Sequence, residues 1–144
     1  RSDIVLMTKI AGSGLKYIRN AGPITADAIA NALTYSLERL KTDYIDVYQL
    51  HWPNRVTPHF GKHWPDGADP TNTNREKELD GMRDILLGIK RALDEGKIRH
   101  WGLSDDTPWG IHAFLTLCKE LGETASVCIT AASIQLALKT EVDS

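Results

Sequence analysis

At 144 residues the chain has the length of one domain, enough to bury a sizeable core and too little for two. A hydrophobic fraction of 42% beside 25% charged residues excludes disordered, collagen-like and membrane-resident classes, and no apolar run approaches the ~20 residues of a membrane helix. A formal net charge of −2 supplies no basic field for nucleic acid. Cys118 and Cys128 lack metal-ligand spacing and read as small core residues of a reducing compartment, so a cytoplasmic location and no metal are expected.

The first element is the apolar run Ile4 to Thr8, which suits a strand covered on both faces, with Lys9 at its tip. Residues 11 to 24 hold three glycines and Pro23 and form a loop. Thr25 then caps a helix, Asp27 favours its positive end, and Ile29, Leu33, Leu37 and Leu40 recur on one face. Asp43 to Leu50 follows as a strand stopped by Pro53, which places His51 at a strand's carboxyl end, where α/β proteins build their sites.

Residues 52 to 76 are rich in Pro, Gly, Asn, Asp and Thr, with Trp52, Phe60 and Trp64 among them; this is either a solvated insertion or a substrate-facing loop. Leu79, Met82, Leu86, Ile89 and Leu93 make the clearest helical stripe, closed by Gly96. Ile98 to Leu103 is a short strand. Thr107 and Pro108 open a helix whose stripe is Ile111, Phe114, Leu115, Cys118 and Leu121, closed by Gly122. Residues 125 to 138 suit a fourth strand or a buried helical segment. This alternation predicts a parallel α/β sheet, either doubly wound or an arc of an eight-stranded barrel, and Gly12-Ser13-Gly14 does not complete a dinucleotide fingerprint.

Three strand tips carry Lys9, His51 and Ser104-Asp105. Singly, each has a plain structural reading: a solvated end charge, a half-buried histidine bonded to a carbonyl, two turn residues. Together they resemble the aldo-keto reductases. The resemblance rests on Val5-Leu6-Met7-Thr8-Lys9, on Ser36-Leu37-Glu38-Arg39-Leu40, on the run Asp43-Tyr44-Ile45-Asp46-Val47-Tyr48-Gln49-Leu50-His51-Trp52-Pro53, and on Gly96 through Ser104. It covers residues 3 to 122, leaves 123–144 divergent, and is closest to the NADP-linked bacterial and plant branch.

The resemblance implies a (β/α)8 barrel that reduces a small-molecule carbonyl substrate with NADP(H). Lys9 then matches the lysine that lowers a tyrosine's pKa, His51 the histidine that orients the carbonyl, and Ser104 the serine that holds the nicotinamide carboxamide. Asp105 stands where asparagine is usual, and Trp52 is expected to face substrate. The family's tyrosine and its aspartate partner precede the lysine strand, and Tyr17, Tyr35, Tyr44 and Tyr48 do not match the tyrosine's motif. Since Arg1-Ser2-Asp3 leads at once into the lysine strand, residues 1–144 are expected to be one partial barrel domain of about four parallel strands and three helices. Such a fragment would self-associate and, alone, be inactive. A non-catalytic nicotinamide-binding or regulatory protein on the same scaffold, or a fragment without function, is the alternative.

Overall fold

The computed structural model describes residues 1–55, 74–122 and 127–129. Four parallel strands, β1 (Met7–Ile10), β2 (Ile45–Leu50), β3 (Ile98–Leu103) and β4 (Val127–Ile129), alternate with three helices, α1 (Ala26–Leu40), α2 (Arg75–Asp94) and α3 (Pro108–Glu120). The spatial order β1-β2-β3-β4 follows the chain without reversal. A doubly wound sheet reverses its strand order at a switch point, whereas a barrel adds each strand beside the last. The described strands therefore have the arrangement of an arc of a (β/α)8 barrel, and the short element within residues 125 to 138 is a strand.

Alternation along the strands divides the sheet into two faces. Ile10, Tyr48, Leu50, Trp101 and Leu103 are buried in one core with Ile29 and Leu33 of α1, Met82, Ile85, Leu86 and Ile89 of α2, and Phe114 and Leu117 of α3. Phe114 meets the Trp101 ring edge-on at 5.9 Å between centroids, a geometry that aromatic quadrupoles favour. The other face carries Lys9, Gln49 and Gly102 in one register row, followed one pleat on by His51 and Ser104.

Local chemistry sets the ends of the elements. Thr25, Asn74 and Thr107 each accept a hydrogen bond from a first-turn N–H, and Gly96 and Gly122 take φ of +68° after α2 and α3. The first strand is shifted from its expected span. Leu6 is the first residue whose backbone is tied to β2, its N–H donating to the Asp46 carboxylate at 2.9 Å and its carbonyl accepting from the N–H groups of Asp46 and Val47. Ile4 and Val5 lie beyond that ladder and are exposed, so the expected burial on both faces fails there, and Lys9 stands inside β1 rather than at its tip.

Asp46 also binds Arg1 at 2.8 Å and Arg99 at 3.4 Å, while both guanidinium groups lie over the Tyr44 ring. The Leu6 N–H, ahead of the two arginines, holds the Asp46 carboxyl below its usual pKa against the opposing effect of desolvation. On α3 the buried stripe runs through Ala113, Phe114, Leu117 and Cys118; Leu115 and Leu121, expected inside, are exposed.

Helices α1 and α2 approach closely at Gly88, where an added Cβ would stand 2.7 Å from the Ala26 Cα, whereas one at Gly81 would meet no atom within 4 Å. The same substitution in one helix should therefore have opposite signs. Gly81→Ala should stabilise the chain by about 1 kcal/mol through helix propensity, and Gly88→Ala should destabilise it by roughly 1–2 kcal/mol through overpacking, both read by urea unfolding.

Candidate active site

The ladder runs one residue past the assigned strand ends: the His51 N–H donates to the Ile10 carbonyl at 2.8 Å and the Ser104 N–H to the Leu50 carbonyl at 2.9 Å. Those two bonds hold His51 beside β1 and Ser104 beside β2, both in strand-like positions. Lys9 reaches across, its Nζ donating to the Ser104 Oγ at 3.3 Å. Because the lysine uses an oxygen lone pair, the Ser104 hydroxyl keeps its own proton to donate. The structure thus brings together Lys9, His51 and Ser104 from three adjacent strands.

His51 is half-buried and its ring lies 4.5 Å from that of Trp52. Desolvation, and then the Lys9 ammonium, lower its pKa below the usual 6.5; Asp105 acts in the opposite direction. The imidazole is therefore neutral at pH 7 and holds one N–H to donate. Asp105 has a φ of +54°, in the left-handed region that asparagine and aspartate enter more readily than other side-chain-bearing residues. That conformation gives a backbone reason for either residue at this position.

Trp52 is 4% exposed, with its indole N–H donating to the Ser13 carbonyl at 3.0 Å. It backs His51 and closes on Gly12, where a Cβ would collide with the tryptophan backbone and ring. The side expected to face substrate is thus packed against the loop of residues 11 to 24. Most of the long loop, with Phe60 and Trp64, and the side chain of Cys128 lie outside what is described.

Sequence reasoning missed the residues that lace this end of the sheet. Asn54 pairs both ways with Ile24, accepting from its N–H at 2.7 Å and donating to its carbonyl at 2.8 Å. Arg55 forms an ion pair with Asp106 and donates to the Thr107 Oγ1 at 3.0 Å. The spacing of polar residues after a strand was the available signal, but turn composition explains such residues equally well. Gln49, which residue type marks only as a strand position, is fully buried, and among the described residues neither its amide nitrogen nor its amide oxygen has a hydrogen-bond partner. A pocket of about 280 Å³ bordered by Ile24, Leu50, Arg55, Met82 and Asp106 opens between the β2 tip and the helices, and Lys9, His51 and Ser104 do not line it.

The four tyrosines stand elsewhere. Tyr17 and Tyr35 are exposed, Tyr44 lies between two arginines, and Tyr48 is buried on the helix-facing side with its phenol pushed far above its usual pKa by desolvation. Among the described residues no group of three or more His, Cys, Asp or Glu could hold a metal ion, and no helix is long and apolar enough to cross a membrane.

Two consequences are measurable. For His51 the unfolded chain binds more protons than the folded one between the depressed folded pKa and 6.5, so stability rises with pH across the window just below 6.5 and is complete above it. Urea unfolding at a series of pH values should show that rise flattened in His51→Asn. Gln49→Met, which fills similar volume without an unpaired amide, should raise the unfolding free energy by about 1 kcal/mol.

The model of the aldo/keto reductase family matches residues 1–135. The chain is 38% identical over 139 residues to an aldo-keto reductase of Babesia bovis, covering 94% of this chain and 47% of that protein. It is 37% identical over 123 residues to Protein tas of Escherichia coli K12, covering 81% of this chain and 33% of that one. A solved aldo/keto reductase from Klebsiella pneumoniae, in complex with NADP and acetate, superimposes with a TM-score of 0.48 at 24% identity, over 78% of this chain and 28% of that structure. The chain spans less than half the length of these relatives. With the family model matching nearly its whole length, the chain belongs to the aldo/keto reductase family.

Proposed function

We propose that this chain carries the lysine, histidine and carboxamide-binding part of an NADPH-dependent reductase of aldehydes or ketones. The observation that carries this reading is the contact of the Lys9 Nζ with the Ser104 Oγ, with His51 on the strand between them. The donor set suits a nicotinamide: the Ser104 hydroxyl can donate to the carboxamide oxygen, and the Asp105 carboxylate can accept from its NH2. The cofactor, when bound, supplies a hydride; the protein's share is placement and charge.

Neutral His51 donates its N–H to the substrate carbonyl oxygen as negative charge develops there, and the Lys9 ammonium adds a favourable field at the same end of the sheet. Trp52 holds the wall behind His51 and so shapes the substrate side indirectly. The proton delivered to the alkoxide has no source among the four tyrosines at their observed positions, so the chain alone is expected to bind cofactor without turnover. The exposed apolar residues Ile4, Val5 and Met7 favour self-association.

Gel filtration followed by titration with NADPH, reading Trp52 fluorescence, tests the proposal. Saturable quenching at micromolar cofactor is expected, with affinity about tenfold lower in Ser104→Ala for the loss of one hydrogen bond. A homogeneous, folded sample that takes up no NADPH would refute it. The non-catalytic reading draws on Asp105, which cannot donate to a carboxamide as asparagine does; aldehyde reduction by a protein in which these residues sit beside a complete set of barrel strands would exclude it.

A further inference from the structure

Four residues beyond His51, Arg55 leaves the β2 tip from a platform already fixed on its other side by Trp52 to Ser13 and Asn54 to Ile24. Its guanidinium crosses to the β3–α3 turn, pairs with the Asp106 carboxylate and donates to the Thr107 Oγ1. Both side chains are nearly buried, at 10% and 3% exposure, so the pair is shielded from the solvent that weakens surface ion pairs. Asp106 also accepts from the Thr107 N–H at 2.6 Å, and the Thr107 Oγ1 caps α3 by accepting from the Gly110 N–H at 3.2 Å. A Cβ at Gly110 would collide with both Arg55 and Asp106. The Trp109 ring lies 5.2 Å from the Arg55 guanidinium and 5.7 Å from that of Arg75 at the start of α2.

Between these anchors sits Asp105 in its left-handed conformation. On its amino side Ser104 is held by the ladder bond to Leu50; on its carboxyl side Asp106 is held by Arg55. We propose that Arg55 and Asp106 are positioning residues of the cofactor site, an ion-paired strut that fixes Ser104 and Asp105 against the strand tip carrying His51. The strut ties the substrate-orienting and cofactor-holding tips together, so their separation is set by one buried pair and not by two independent loops. The cofactor role rests on the NADPH-binding reading above; the strut itself does not.

The first test needs no cofactor. Amide hydrogen exchange on the intact chain compares the wild type with Arg55→Met, with Arg55→Lys, and with Arg55→Met combined with Asp106→Leu, which removes both charges and avoids an orphaned carboxylate. Exchange at Ser104, Thr107 and Gly110 should be at least about tenfold faster in Arg55→Met and in the double variant, within about twofold of wild type at Trp101 and Ile89, and partly restored in Arg55→Lys. Uniform acceleration, or none, overturns the strut. The second test is a double-mutant cycle on NADPH affinity. Arg55→Met and Ser104→Ala should each weaken binding about tenfold and together little more, because both act through the same hydroxyl. Independent losses multiplying to about a hundredfold would overturn the positioning role. A wild-type chain that takes up no NADPH would refute the cofactor reading and with it the positioning role, while the exchange result would still judge the strut.

Discussion

The structure depends on how the tip of β2 is held. A strand end in an α/β protein has no ladder partner beyond its last residue, and the loops leaving it must find other bonds for their polar groups. Here three residues supply them: Trp52 to the Ser13 carbonyl, Asn54 to both backbone groups of Ile24, and Arg55 to Asp106 and Thr107, with Pro53 between them requiring no donor bond of its own. The tip is thereby tied to the β1–α1 loop on one side and the β3–α3 turn on the other. Lys9, His51 and Ser104 inherit their relative positions from this lacing together with the ladder bonds beneath them.

The two faces of the sheet are built for different tasks. The helix-facing side is a continuous apolar core in which Trp101, Tyr48 and the aliphatic residues of three helices interlock. The opposite side carries an ammonium, an imidazole, a hydroxyl and an unpaired carboxamide within two register rows. Polar groups concentrated on one face of an otherwise apolar sheet are costly unless they meet one another, as Lys9 and Ser104 do, or a ligand. Gln49 meets no such group among the described residues.

At the amino ends of the strands a second charged cluster acts in the opposite sense. Asp46 gathers Arg1, Arg99 and the Leu6 N–H, and Tyr44 is held between the two guanidinium groups. Every charge there has a partner at close range, which suits a structural role. At the carboxyl ends burial, and after it the Lys9 ammonium, depress the His51 pKa, and the neutral imidazole results. A fully paired cluster at one end and a histidine of depressed pKa beside a lysine at the other agree with the division of α/β folds into a stable end and a reactive end.

Periodicity and capping chemistry made the three helices, two of the four strands and the helix stops legible, because Thr25, Thr107, Gly96 and Gly122 act through bonds a few residues long. The grouping of Lys9, His51 and Ser104 was legible once strands were assumed parallel and adjacent, since strand tips then share one end. What lay beyond reach were features set by partners distant in the chain. The start of β1 depends on Asp46 capturing Leu6, and the inward face of α3 on which neighbour it meets. The burial of Trp52 and the Arg55–Asp106 pair across 51 positions likewise came only with the tertiary structure. Local bonds read directly from residue type and spacing; long-range pairs do not, because many polar residues could satisfy the same donor until the fold brings one of them within reach.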